Sequence, residues 1–155
     1  MLSIQKVVIP HVILERTFQF FQRFGNEYLE AFALWVGEEK EKRFEIKEVW
    51  FPEQRNGCIT YDIPSTEVHR INVKLNREKY SAIAQLHTHP GAAFHSSVDD
   101  EFAILAIPGS LSIVIPDFGF LSSTKDLDQW VVYKLIDNSW IAQSETEVRG
   151  LFQII

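Results

Sequence analysis

From Ala31 to Val36 the chain reads Ala-Phe-Ala-Leu-Trp-Val, apolar at every position, and this run constrains the fold more than any other feature. Side chains of a strand alternate between the two faces of its sheet, so a strand without polar alternation has no face to give to water. It must lie inside a sheet that is covered on both sides. A second largely apolar run, Ser81 to His89, makes the same demand and is broken by Pro90-Gly91.

Helical patterns are available to cover such a sheet. Ile13, Leu14, Thr17, Phe18, Phe21 and Phe24 follow Pro10 at three- and four-residue steps, with Gly25-Asn26 as a stop. Pro64-Ser65 opens a second helix carrying Val68, Ile71, Val73 and Leu75. A third is expected from Ser96 or Ser97 through Phe102, Leu105 and Ala106. Phe44 to Phe51 alternates with a two-residue period, which predicts a hairpin partner for the first run, with Gly37 to Lys42 as the turn. Pro52 to Gly57 reads as loop, and Cys58 to Ile63, Leu111 to Ile115 and Trp130 to Ile136 as strands. Beyond Asn138 the reading is ambiguous, although Val148, Leu151 and Phe152 have helical spacing. Strands mixed with helices imply an α/β or α+β sandwich around one mostly antiparallel or mixed sheet, and a length of 155 residues suits a single domain over 1–155.

Composition narrows the function classes. With 46% apolar and 23% charged residues the chain has ample material for a core. The formal charge of −6 comes without a basic block, which argues against nucleic acid as the main partner. Its single cysteine, Cys58, excludes an internal disulfide and is expected to be a small buried residue in a protein of the reducing cytoplasm. The apolar run Val7-Val8-Ile9 is too short for a signal peptide, and no stretch approaches the ~20 residues of a membrane span.

The chemistry is concentrated at the end of the second apolar run. In His87-Thr88-His89 both imidazoles fall on one face of the strand, because residues two apart share a side. After the Pro90-Gly91 turn, Ser96-Ser97-Val98-Asp99-Asp100 offers helix-capping hydroxyls and carboxylates that can return toward the histidines. Two His and one Asp meet the three-ligand rule for catalytic zinc, which keeps a fourth position open. Taken singly, a strand histidine is packed or solvated and S-x-x-D is a capping box. Together they point to a metal. His95 reads as an exposed loop residue, His11 and His69 as helix-surface residues, and Trp35 and Trp50 as core aromatics.

This arrangement resembles the JAMM metalloproteases, also called MPN or JAB domains, a family that includes deubiquitinating enzymes and prokaryotic relatives. Their pattern is a distant Glu, then H-[ST]-H, seven residues, then S-x-x-D. His87, Thr88 and His89 match it, Pro90 to Ser96 fill the gap, and Ser97 and Asp100 complete it. Ser96-x-x-Asp99 satisfies S-x-x-D one residue earlier, so both registers stand, Asp100 being the one the spacing favours. Glu30 matches the distant glutamate, at the start of a strand that ends in glycine.

The resemblance implies a cytidine-deaminase-like JAB/MPN fold, with zinc held by His87, His89 and Asp100 or Asp99. It implies Glu30 as the general base that activates water and passes the proton to the leaving amine, and Ser97 or Ser96 as a donor to the oxyanion. The implied activity is a zinc isopeptidase that releases a ubiquitin-like protein from its conjugates or trims its C-terminal extension, with ubiquitin-like conjugation enzymes as further partners. A non-catalytic MPN scaffold that binds such a partner is the alternative. Other H-x-H hydrolases fit less well: barrels need about 250 residues, and cupins want a glutamate where Gly91 to Phe94 stand.

Overall fold

The computed structural model describes residues 1, 3–92, 104–120 and 129–155. The chain runs through β1 (Lys6–Ile9), α1 (His11–Gly25), β2 (Phe32–Lys40), β3 (Arg43–Trp50), β4 (Arg55–Asn56), β5 (Tyr61–Asp62), α2 (Ser65–Glu78), β6 (Ser81–Thr88) and β7 (Leu111–Ile115). A 3-10 turn (Asp117–Gly119) follows, then β8 (Val131–Ile136), β9 (Ser139–Ala142), α3 (Glu145–Leu151) and β10 (Phe152–Ile154). Among the described residues one eight-stranded sheet has the order β10-β1-β3-β2-β6-β7-β8-β9, and β4 and β5 form a separate hairpin. The pairs β1–β10, β1–β3 and β6–β7 are parallel and the others antiparallel. The architecture is the expected mixed α+β sheet with helices packed on it.

The two apolar runs, β2 and β6, lie side by side at the centre of this sheet. One face packs Ala33, Trp35, Ile83 and Ile113 against Leu14, Phe18 and Phe21 of α1 and Val148 of α3. Phe32, Leu34, Val36 and Trp50 on the other face meet Ile71 and Leu75 of α2. Within the first cluster the indole Nε1 of Trp35 donates to Thr17 Oγ1 at 3.1 Å, and that hydroxyl donates to the Ile13 carbonyl at 2.7 Å. Trp35 can therefore be fully buried with its polar atom satisfied.

Several local expectations need correction. Gly37 does not end its strand: β2 continues to Lys40, and the turn is only Glu41-Lys42, with Glu41 at φ 57°. Polar character misled here because ion pairs sustain the hairpin end, Glu45 of β3 lying 2.8 Å from Lys40 across the hairpin and 2.8 Å from Lys47 on its own strand. Gly37 instead sits at a bulge, where any Cβ would collide with the Glu45 carbonyl. Cys58 to Ile63 is not one strand. Its second half contributes Tyr61–Asp62 to a hairpin with Arg55–Asn56, and Cys58, at the hairpin bend, is exposed instead of buried. Leu105 and Ala106 are not helical, because the Ile104 and Leu105 amides are drawn to the Gln85 side chain instead of to a preceding turn. The rest of that expected helix lies outside the described residues. The ambiguous tail resolves through Ser144, whose hydroxyl and amide exchange hydrogen bonds with Glu147 in a capping box that starts α3. Among the described residues no helix is long and apolar enough to cross a membrane.

Candidate metal centre

His87 and His89 stand at the end of β6, 0% and 6% exposed. Strand alternation puts both rings on the α2 side of the sheet, and their Nε2 atoms converge to 3.2 Å. Backbone contacts fix each histidine. His87 lies in register between Phe32 of β2 and Val114 of β7, with the Tyr61 ring 5.5 Å away. The His89 amide donates to Ile115 O at 3.0 Å, and its carbonyl accepts from Phe118 N at 2.9 Å. Phe118 belongs to the 3-10 turn, which presses on Gly25 of α1 so closely that a Cβ there would overlap Phe118. The helix, the turn and the histidine are thereby tied together.

Glu30 arrives from the neighbouring strand. Phe32 pairs with His87, and one step further the Thr88 amide donates to Ala31 O at 3.1 Å while Ala31 N donates to Thr88 Oγ1 at 3.0 Å. Continuing that register sets Glu30 opposite His89, and directly opposed residues of an antiparallel pair share a face. Glu30 is itself buried, 4% exposed. Thr88 explains how the pair is aligned. Its hydroxyl supplies the acceptor for Ala31 N at the point where the strand ends and the ladder would otherwise be incomplete.

The convergence of the imidazoles fits a metal ion. Two nitrogens bound to zinc at about 2.0–2.1 Å with a tetrahedral angle stand about 3.3 Å apart, close to the 3.2 Å between the two Nε2 atoms. Among the described residues no group of three His, Cys, Asp or Glu is assembled. Ser96, Ser97, Asp99, Asp100 and His95 lie outside the described residues. The chain returns from that stretch at Ile104 and Leu105, whose amides donate to Gln85 Oε1 at 3.0 and 3.1 Å. Gln85 is buried two residues before His87 on the same strand, and its Nε2 reaches Ser112 at 3.3 Å. His11 and His69 are exposed on helices as expected, His11 lying 3.4 Å from Glu15.

Two charged clusters away from these histidines are committed to structure. A groove lined by Arg16, Trp50, Phe51, Glu67, Arg70 and Lys74, about 300 Å³ in volume, includes none of the candidate catalytic residues. Buried Glu67 accepts two bonds of 2.7 Å from Arg70 and one from the Glu53 amide at 3.0 Å. The Arg70 guanidinium, aided by that amide, holds its carboxyl below the usual range against the opposing effect of burial. Lys74 sits 3.9 Å over the Trp50 ring. At the hairpin end, hydrogen bonds from Lys40 and Lys47 bring the Glu45 carboxyl down to about 2.

The polar residues around Glu30 and the histidines are only partly legible in the sequence. Gln85 is a polar interruption of a buried run and was a usable signal. Gln54, Asn56 and Tyr61 belong to segments read as loop and strand, and nothing in their spacing marked them as neighbours of β2.

Comparison with protein-family models returns no match. Among curated proteins, a probable metalloprotease, y4jG, from Sinorhizobium fredii (strain NBRC 101917 / NGR234), is 34% identical over 120 residues, which cover 75% of this chain and 74% of that protein. The chain belongs to this metalloprotease family. A solved structure, that of protein DSY2949 from Desulfitobacterium hafniense, shares the fold with a TM-score of 0.66 at 12% identity, covering 96% of this chain and 92% of that one. In a metalloprotease family member, a buried pair of convergent imidazoles, with a buried glutamate continuing the register of the neighbouring strand, is a candidate site for metal chemistry.

Proposed function

We propose that the chain is a zinc metallo-isopeptidase of the JAMM type, hydrolysing the amide bond after the C-terminus of a ubiquitin-like protein in deconjugation or precursor processing. The observation that carries this reading is the 3.2 Å approach of His87 and His89 Nε2 in the register that sets Glu30 opposite His89. Membership of a metalloprotease family and the likeness of Glu30, His87-Thr88-His89 and the following Ser/Asp pair to the JAMM pattern support it. His87, His89 and Asp100, or Asp99 in the earlier register, would hold the ion. When bound, zinc lowers the pKa of water toward about 7 and polarises the scissile carbonyl.

The remaining steps fall to the chain's own groups. Glu30 takes the proton from the attacking water on its carboxylate and delivers it to the departing amine, so no net proton is left on the protein. Burial suits this role, because a carboxylate shielded from solvent keeps its proton for the leaving group. The Ser97 or Ser96 hydroxyl donates to the oxyanion. The extended tail of the modifier pairs along a strand edge, where backbone hydrogen bonds supply much of the affinity. A cytoplasmic setting and contact with ubiquitin-like conjugation enzymes complete the proposal.

The test is incubation of the zinc-loaded protein with a panel of ubiquitin-like proteins carrying C-terminal extensions, with and without a chelator. Cleavage after the modifier's C-terminus is expected, abolished by the chelator and restored by zinc. Glu30→Gln should lower kcat by about 10²–10⁴ while retaining the ion, whereas His87→Ala should lose it. A purified protein that binds no zinc and cleaves nothing would instead support the scaffold alternative.

A further inference from the structure

We infer that Gln54 is a positioning residue for Glu30, its carboxamide replacing the strand that β2 lacks at its first residues. The inference rests on the reading of Glu30 as general base. β3 pairs with β2 only from Leu34 opposite Trp50 onward. In an antiparallel ladder successive residues direct their backbone groups to opposite neighbours. Ala31 bonds toward β6, so Glu30 and Phe32 present theirs on the side where β3 has ended.

Gln54 fills that place for Phe32. Its Oε1 accepts from Phe32 N at 2.8 Å and its Nε2 donates to Phe32 O at 3.0 Å. A primary amide carries the donor and the acceptor that a peptide group would offer, and neither a carboxylate nor an apolar side chain can supply both. The other hydrogen of Nε2 reaches Pro52 O at 2.9 Å, and Oε1 also accepts from Asn56 Nδ2 at 2.9 Å. The amide is thus held in one orientation. Asn56 and its neighbour complete the clamp on Glu30 itself: Asn56 Nδ2 donates to Glu30 O at 2.8 Å, and Glu30 N donates to Gly57 O at 2.8 Å.

Every backbone N–H and C=O from Glu30 to Phe32 has a partner, and Gln54 is the hub of the side away from β6. Strand ends fray when such groups are released. A displacement of about 1 Å at a catalytic group can cost about 10²-fold in rate. Gln54 touches neither substrate nor ion in this assignment; it acts through the backbone that carries Glu30.

The experiment compares Gln54→Leu, which removes donor and acceptor, with Gln54→Glu, which keeps the acceptor for Phe32 N–H. Amide hydrogen exchange at Ala31 and Phe32, zinc content, and kcat and KM on the extended ubiquitin-like protein are measured together. Gln54→Leu is expected to exchange Phe32 N–H at least about tenfold faster and to lose roughly 10- to 100-fold in kcat per bound zinc, with KM unchanged. Gln54→Glu should protect Phe32 N–H and lose less; if Gln54→Leu does not fold, this variant decides, and parent-like exchange at Phe32 is its expected result. Unchanged exchange in Gln54→Leu overturns the inference alone, as does fast exchange with parental kcat. Parental activity in Glu30→Gln overturns the underlying reading and the inference with it, whatever the exchange data show.

Discussion

At the scale of single residues, buried polar atoms do the most to specify this structure. Thr17 is 1% exposed and serves two partners, accepting from Trp35 Nε1 and donating to Ile13 O. Thr17→Val keeps the shape but strands the indole N–H of a fully buried Trp35, and such an orphan costs about 1–3 kcal/mol. Urea titration should show that loss with no change in the denaturant slope, and a parent-like midpoint would mean that the indole has found another acceptor. The convergence of His87 and His89 was legible in the sequence because residues two apart on a strand share a face, whereas Glu30 was singled out through the likeness to the JAMM pattern. Gln54 and Asn56 were not. The β2 backbone groups they bond lie more than twenty positions away, and no periodicity encodes a side chain that stands in for a peptide.

At the scale of elements, strand patterns gave good guidance where burial is complete and poor guidance where charge replaces it. β2 and β6 were readable because their runs are mostly apolar and buried on both faces, β6 despite Gln85 and His87 on its α2 side. The far end of β2 was not, because Lys40, Glu45 and Lys47 make polar residues serve a strand. α2 presents a related case, with a carboxylate at its start: Glu67 is tied to Arg70 and to the Glu53 amide, linking the helix to the loop before it. Since its folded-state carboxyl lies below the ordinary value of 4.5, the stabilisation it gives is complete above that value and is lost as pH falls through the lowered one. Glu45, brought down to about 2, follows the same sign. Unfolding free energy should therefore decline as pH drops below about 4.5, and Glu67→Gln should flatten part of that decline while lowering stability at neutral pH. An acid limb identical in parent and Glu67→Gln would remove Glu67 from the account.

For the whole molecule, the apolar core and the proposed metal site draw on different residues. The core on both sheet faces is built from residues other than the candidate ligands, so removal of the ion should abolish hydrolysis while leaving a cooperatively folded protein. Circular dichroism with a chelator should show retained secondary structure and a lowered Tm that zinc restores, as expected when a ligand binds only the native state. Collapse to an unfolded spectrum would show that the ion is a structural support. The register between β2 and β6 has a consequence beyond packing. With a side-chain period of two, a slip by one residue would send Glu30 toward α1 while leaving the imidazoles facing α2. It would also drive the Phe32–Leu34–Val36 row out of its seat. On the proposed role of Glu30, a misaligned molecule would then be both unstable and inert, so burial of the apolar row acts as a proofreading step for the proposed acid-base group, and a sheet that has zipped up wrongly could not assemble it.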